Sequence, residues 1–180
     1  MKNIENRLDR EEHFHDEWAL SENIESINVD LTNEALTAPE MRFIVHKLGD
    51  INGKTLLDVG CGLGEAGVYF AKKGAQVTVS DLSEAMLEVA KKLATLNGVN
   101  VESVKSPAEG LELAGRKFDI IYLGNLFHHV DTEEAIKNVK SMMHSNSIMV
   151  SWDPVAYNPL INLYRMWAKD VRTEDEHPLG

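Results

Sequence analysis

The sequence predicts an α/β fold whose doubly wound, mostly parallel sheet carries helices on both faces. Short apolar segments of strand length alternate with longer segments that have the apolar spacing of amphipathic helices. This alternation is typical of strand–helix–strand crossovers, which place parallel strands side by side and cover both faces of the sheet. The predicted strands span residues 54–59, 76–80, 101–105, 118–123 and 147–152.

Helices are predicted before and between these strands. The first core helix starts with Thr37 as its cap and Pro39 in its first turn, and Gly49 ends it. Thr132 is the predicted cap of the helix before the fifth strand. The predicted core helices span residues 39–48, 65–73, 83–96 and 133–143, with a short helix up to residue 114 and a last one from residue 158.

Residues 1–36 are predicted to form a helical cap and a linker ahead of a core over residues 37–153. The first 19 residues are rich in charge and are predicted to form an exposed helix, and residues 21–37 are predicted to be a polar, irregular linker with some short structure. Two interpretations of the stretch 13–19 stay open. It is either a solvated helix anchored by Phe14 and Trp18, or a segment that lies over the mouth of a binding site.

The composition excludes several classes of protein. The 180 residues carry 29 acidic against 18 basic side chains, a net charge of −11, without a basic cluster. This argues against nucleic acid as a partner. The single cysteine, Cys61, forms no internal disulfide, and no apolar run approaches 18 residues, so we expect a cytoplasmic protein without a membrane span.

The glycine-rich stretch 55–64 (TLLDVGCGLG) is the strongest functional signal. Gly60, Gly62 and Gly64 lie between a predicted strand and a predicted helix. Glycine permits backbone angles that other residues avoid, and it lets a ligand approach the main chain closely. The stretch therefore predicts a nucleotide-type pocket at a helix N-terminus.

Two acidic residues restrict the ligand of that pocket. The dinucleotide pattern G-x-G-x-x-G requires a glycine where this chain has Glu65, and Asp58 precedes the turn. Both carboxylates would repel a pyrophosphate at the helix N-terminus. The pocket is predicted to bind a cationic nucleoside without phosphates, and S-adenosylmethionine, with its ammonium and sulfonium groups, fits.

Asp81 is the second strong signal. It ends the second predicted strand, 21 residues after Gly60. An acidic residue at this place in a doubly wound sheet accepts hydrogen bonds from ribose hydroxyls. The alternative role is to cap the next helix, and both roles can coexist.

The stretch 57–64 (LDVGCGLG) resembles the first motif of class I S-adenosylmethionine-dependent methyltransferases, in particular the small-molecule, ubiquinone/menaquinone-methyltransferase-like superfamily. The resemblance implies a Rossmann-like sheet, which here possibly lacks the last two of its seven strands. It also implies S-adenosylmethionine as cofactor, S-adenosylhomocysteine as product, and methyl transfer to O, N or C of a small organic acceptor.

The resemblance implies the cofactor-binding residues. Leu82 and Met86 would flank the adenine, and Glu109 or a backbone carbonyl would accept the adenine amine in place of the aspartate that many members have. Asp58 and Glu65 would face the methionine ammonium. The full implied set is Asp58, Gly60, Cys61, Gly62, Gly64, Asp81, Leu82, Met86, Ser106, Pro107, Ala108, Gly124, Asn125, Leu126 and His129.

The candidate catalytic residues are His128, as a base on the acceptor side, and His15. The candidate substrate contacts are aromatic and have the alternative role of core packing: Trp18, Phe127, Tyr157 and Tyr164. Cys61 is disfavoured as a nucleophile because its neighbours are acidic. No metal site is predicted from the pairs 13/15 and 128/129, because adjacent histidines point in different directions and no cysteine or paired-carboxylate spacing supports a site.

The C-terminal residues 154–180 are expected to form a lid segment over the acceptor, and to be truncated. Three explanations for the missing strands stay open: an abbreviated sheet, a partner chain that completes it in a homo-oligomer, or a fragment of a longer protein, which we favour. The missing strands also leave a rival function open, a non-catalytic module that binds the cofactor. A nicotinamide-dependent oxidoreductase is disfavoured by Glu65.

Overall fold

A computed structural model describes residues 2–35, 38–111, 113 and 115–153, with side chains from Arg7 onward. Five strands form one parallel sheet. The strands are β1 (Thr55–Val59), β2 (Gln76–Asp81), β3 (Glu102–Lys105), β4 (Phe118–Gly124) and β5 (Met143–Trp152). The helices are α1 (Lys2–Ser21), α2 (Val29–Glu34), α3 (Pro39–Leu48), α4 (Glu65–Lys72), α5 (Glu84–Leu96) and α6 (Thr132–Ser141).

The strand order is β3-β2-β1-β4-β5, which confirms the predicted doubly wound sheet. The chain builds outward from β1 to β3 and then returns to the other side of β1 with β4. Ligands of open α/β sheets bind at the carboxyl ends of the strands where the order reverses. That place in this sheet lies between β1 and β4.

Each face of the sheet has its own apolar layer. Successive residues of β1 alternate between the layers: Leu56 packs with α3, α4 and α5, whereas Leu57 packs on the side of α6. Both side chains are fully buried. This alternation follows from the two-residue period of a strand, and a parallel sheet covered on both faces needs apolar residues at both positions.

The N-terminal helix α1 packs against α5 rather than standing alone in solvent. Its residue Ala19 is buried in a small cluster with Leu63, Met86 and Val89. Within the described residues, no helix is both long and apolar enough to cross a bilayer.

Several predicted details need correction. Asp131, not Thr132, caps α6: its Oδ1 accepts hydrogen bonds from the Glu133 and Glu134 amides. The short helix predicted up to residue 114 is a single turn, Ala108–Gly110, whereas the linker contains α2, in agreement with the short structure predicted there. Thr37 and the helix predicted from residue 158 lie outside the described residues.

Gly64 provides a stability test of the turn that leads into α4. It has a φ of +82°, and a Cβ at this position would overlap the Ala90 side chain and lie 2.9 Å from Ala90 Cα. Gly98 has a similar φ of +70° with open space around it. We expect Gly98→Ala to cost about 1–2 kcal/mol for the left-handed backbone alone. Gly64→Ala should cost a further ~1–3 kcal/mol for the overlap.

Urea unfolding of both variants measures these costs. Equal free energies of unfolding for the two variants would contradict the described packing of the turn on α5.

Candidate functional site

A cavity of about 770 Å³ opens at the carboxyl ends of the strands, where the strand order reverses. This volume is within the range of small-molecule sites. The cavity brings together most of the predicted site residues. They are His15, Trp18, Asp58, Gly60, Cys61, Gly62, Asp81, Leu82, Ser106, Pro107, Ala108, Gly124, Asn125, Leu126, His128 and His129.

The glycine turn exposes backbone to this cavity. Gly60 and Gly62 have φ values of +67° and +52°, and a Cβ built on Gly62 would meet no atom within 4 Å. The Gly60 and Cys61 amides donate to the Ser80 carbonyl over 2.8 and 3.0 Å, which fixes the turn against the end of β2. The turn therefore leaves room for a ligand directly on its main chain.

Asp81 joins the two strand ends that form the floor of the cavity. Its Oδ2 accepts a hydrogen bond from the Gly62 amide, and its Oδ1 accepts one from the Ser83 amide, each over 2.9 Å. Ser83 is the cap of α5, because its Oγ accepts from the Met86 amide. A carboxylate has about four acceptor positions, so Asp81 keeps acceptor capacity toward the cavity.

The charge of the lining is acidic. Asp58, Glu65, Asp81 and Glu109 line the cavity, and no lysine or arginine is among its described lining residues. Burial, followed by the charge of Asp81, raises the pKa of Asp58 to about 7. Burial also raises the pKa of Glu65 and of Asp81. Such a lining favours a cationic ligand over a phosphate.

Buried carboxylate oxygens without partners mark places for ligand groups. Asp58 Oδ2 and Glu109 Oε2 are both buried and accept no hydrogen bond of normal geometry from the described residues. Such groups are costly unless something satisfies them. Glu109 lies next to the end of β3, where the sequence placed the adenine edge, and its Oε1 is bound by Arg7 and by the Asp131 amide.

The helix α1 forms one wall of the cavity, which favours the second interpretation of residues 13–19. Polar contacts hold it to the core, among them Asp16 with the Ser83 hydroxyl, Glu12 with Lys105 at 2.7 Å, and Arg7 with Glu109. The lining residues on α1 have helical spacing: Leu8, Glu11, Phe14, His15 and Trp18. The wall therefore belongs to one face of the helix.

His128 has an acidic partner that the sequence did not reveal. Its Nδ1 lies 2.9 Å from Oδ1 of Asp153, and both side chains are buried. The other oxygen of Asp153 is buried without a hydrogen-bond partner in the described part of the chain. Asp153 follows β5 directly, and this position at the carboxyl end of a strand is the feature of the sequence that could have predicted it as a site residue.

His129 and His15 meet at the cavity wall although they are distant in the sequence. Their ring centroids lie 5.9 Å apart, and the His128 and His129 rings lie 4.1 Å apart. Glu11 completes this group: its Oε2 lies 3.3 Å from His129 Nδ1. Sequence reasoning had not considered Glu11 at all.

Three predicted site residues do not line the cavity. Gly64 packs on α5, Met86 is fully buried beneath α1, and Phe127 is buried in the layer beside α6. They pack behind the walls of the cavity, and the contacts expected of them with cofactor or substrate stay predictions. Tyr157 and Tyr164 lie outside the described residues.

Desolvation and the charges of Asp81 and Asp58 raise the pKa of the Cys61 thiol, which opposes a thiolate nucleophile.

A fold of this order with a glycine turn, an acidic strand end and an acid-lined cavity defines a nucleoside-binding α/β protein. Residues 56–146, just over half of the chain, match the family described as "Methyltransferase domain". The chain belongs to this family and groups with the class I S-adenosylmethionine-dependent methyltransferases. S-adenosylmethionine, the predicted cofactor, is the cofactor of this class.

Curated relatives give the same class. The chain is 38% identical over 94 residues to a ubiquinone biosynthesis O-methyltransferase of Coxiella burnetii, covering 52% of this chain and 40% of the relative. It is 33% identical over 125 residues to the enzyme of that name from Pseudoalteromonas translucida, covering 68% and 52%. The chain thus spans about half the length of these relatives or less.

Solved structures share the fold. YcgJ from Bacillus subtilis aligns with a TM-score of 0.65 at 23% identity, covering 77% of this chain and 60% of YcgJ. Phosphoethanolamine N-methyltransferase 1 of Haemonchus contortus, solved with phosphoethanolamine and S-adenosylhomocysteine, aligns with a TM-score of 0.67 at 19% identity. That alignment covers 84% of this chain and 33% of the other.

The raised pKa of Asp58 predicts how stability depends on pH. The folded protein keeps a proton on Asp58 up to about pH 7, whereas the ordinary value is 3.8. The wild type therefore loses stability through this group as the pH rises from about 4 to 7. Asp58→Asn lacks this loss. Its free energy of unfolding relative to that of the wild type should therefore increase from pH 4 to pH 7, by on the order of 4 kcal/mol at most.

Chemical denaturation of the cofactor-free protein at several pH values measures the effect. Asp119→Asn is the control of opposite sign, because the Thr55 amide lowers the pKa of that exposed carboxyl. A pH-independent difference between Asp58→Asn and wild type would contradict the assignment.

Proposed function

We propose that this chain transfers a methyl group from S-adenosylmethionine to a small organic acceptor by in-line displacement. The observation that carries the proposal is the cavity at the strand reversal, in which the acidic side chains face no lysine or arginine among the described lining residues. Bound cofactor supplies an electrophilic methyl group on a sulfonium. The acceptor supplies the attacking O, N or C atom.

The cofactor residues follow from the contacts. The carboxylate of Asp81, held by the Gly62 and Ser83 amides, binds the ribose hydroxyls. Asp58, with its unpartnered buried oxygen, binds the ammonium of the methionine part, directly or through water. Glu109 Oε2 is the acceptor for the adenine amine beside Ser106, Pro107 and Ala108.

The acceptor side is formed by α1 and by the loop after β4. Trp18 and Phe14 supply aromatic surface, and His128 is the base. Asp153 holds Nδ1 of His128 as the protonated nitrogen, which leaves Nε2 to take a proton. A base is needed when the acceptor is a hydroxyl, and the relatives named above carry an O-methyltransferase name. Oxygen is therefore the proposed atom, with N and C as alternatives.

In this proposal, alignment of the methyl donor with the acceptor atom accounts for most of the acceleration of methyl transfer. Displacement at a sulfonium needs the donor carbon and the acceptor atom aligned, and a walled site provides that alignment. The polar contacts of Arg7, Glu12 and Asp16 hold α1 over the cavity, so they fix the acceptor wall and limit access of water.

The experiment that tests the proposal is formation of S-adenosylhomocysteine. The chain is incubated with S-adenosylmethionine and a panel of phenols, amines and acidic carbon compounds, and the product is measured by mass spectrometry. Product that depends on an acceptor supports methyl transfer. Cofactor binding without product from any acceptor would favour the non-catalytic binding module instead.

Asp81→Asn tests the ribose contact. Loss of charge-assisted hydrogen bonds costs about 1.5–3 kcal/mol each, so we expect affinity for S-adenosylmethionine to fall at least about tenfold. Isothermal titration calorimetry measures the affinity. The matched control is Asp119→Asn, whose carboxylate binds the Thr55 amide and hydroxyl at the opposite end of the strands. Equal affinities of Asp81→Asn and wild type would overturn the assignment.

His128→Asn tests the base. Loss of general-base catalysis should lower kcat by about 10²–10⁴ for a phenol from the panel, with little change in cofactor affinity. Asp153→Asn should give a smaller loss of kcat, because it removes only the group that orients the imidazole. Unchanged kcat in His128→Asn would exclude this histidine as the base.

A further inference from the structure

We propose that Glu11, His15 and His129 form a binding site for a divalent transition cation of the Zn²⁺ type at the wall of the cavity. Each of the three side chains offers one ligand atom, and these atoms lie within 4.8 Å of one another. Two imidazoles and one carboxylate are a common donor set for such cations. The proposal goes beyond methyl transfer and does not depend on it.

Two of the distances between the ligand atoms are compatible with a shared cation. Glu11 Oε2 lies 3.3 Å from His129 Nδ1 and 3.7 Å from His15 Nε2. Ligand atoms about 2.1 Å from a tetrahedral metal lie about 3.4 Å from one another. A separation of 3.7 Å, in contrast, is too long for a hydrogen bond.

The surroundings also favour a cation. Glu11 is only 4% exposed, and Nδ1 of His129, the ring nitrogen that faces Glu11, is buried without a hydrogen bond of normal geometry among the described residues. The cavity that all three residues line carries several carboxylates and no described lysine or arginine. A dipositive ion would lower the cost of keeping these acidic groups together.

The site has a structural consequence. Glu11 and His15 are one helical turn apart on α1, whereas His129 belongs to the loop after β4. One cation would therefore hold the wall helix to the sheet. Arg7 supports the same junction by donating to the His129 carbonyl. Three protein ligands leave a fourth position on the metal for water or another donor.

The sequence does not predict this group, because it combines one histidine from each of two pairs that lie more than 100 residues apart. The structure selects one member of each pair. His13 projects away from the site, with a side chain that is 76% exposed, and it lies 3.4 Å from Glu17. It is therefore the natural control residue.

Calorimetry with Zn²⁺ alone tests the site on the full chain after treatment with a chelator. We expect one ion per chain, with affinity reduced at least tenfold in both His129→Ala and Glu11→Gln and unchanged in His13→Ala. Loss of an outer-sphere partner alone costs about 10- to 100-fold, so loss of a direct ligand should cost no less. Circular dichroism in chelator shows that each variant is folded.

Cobalt substitution gives a second measurement. Co²⁺ bound to the wild type should show the intense visible absorption of a four-coordinate site, and this absorption should be absent in Glu11→Gln. No Zn²⁺ binding by the wild type, or an equal loss in His13→Ala, would overturn the proposal. Neither result bears on methyl transfer, because the cofactor and the acceptor are absent.

Discussion

Three hydrogen bonds tie the glycine turn after β1 to the end of β2, two to a backbone carbonyl and one to a carboxylate, and the rest of the site depends on this junction. The Ser80 carbonyl accepts from two amides of the glycine turn, and the Asp81 carboxylate accepts from the Gly62 and Ser83 amides. Without them, the carboxylates of the cavity floor would have no fixed positions. The positive φ angles of the turn restrict these positions to glycine, so the binding surface is main chain rather than side chain.

A second constraint is the concentration of buried acid. Asp58 and Asp81 are both almost fully buried. The charge of Asp81 raises the pKa of Asp58, and both charges raise the pKa of Cys61. In a stable protein, buried charged groups need hydrogen-bond or ionic partners. The two amides that bind Asp81 compensate only part of the buried acidic charge. A cationic ligand would satisfy the remainder, which agrees with the proposed sulfonium cofactor and disfavours a pyrophosphate. The same buried carboxylates therefore lower the stability of the ligand-free protein and favour, in our proposal, a cationic ligand.

The wall helix α1 adds a third element to the cavity. Its charged residues, which look solvated in the sequence, divide between ion pairs with the core and the lining of the cavity. This placement brings His15 and Glu11 to His129. The proposed base and the proposed cation site are consequently neighbours, with the rings of His128 and His129 in contact.

The sequence by itself determined the order of strands and helices, the glycine turn, and the acidic residue at the end of β2, because these features depend on local periodicity and on backbone angles that few residues tolerate. It therefore also determined the class of cofactor. Only the tertiary structure decided which face of α1 lines the cavity, that Asp153 partners His128, that Asp131 caps α6, and that Met86 and Phe127 lie behind the walls. These features depend on side-chain packing between segments far apart in the chain. The physical reason is that local patterns fix a residue's element and face, whereas its neighbours across the fold are set by how those elements dock.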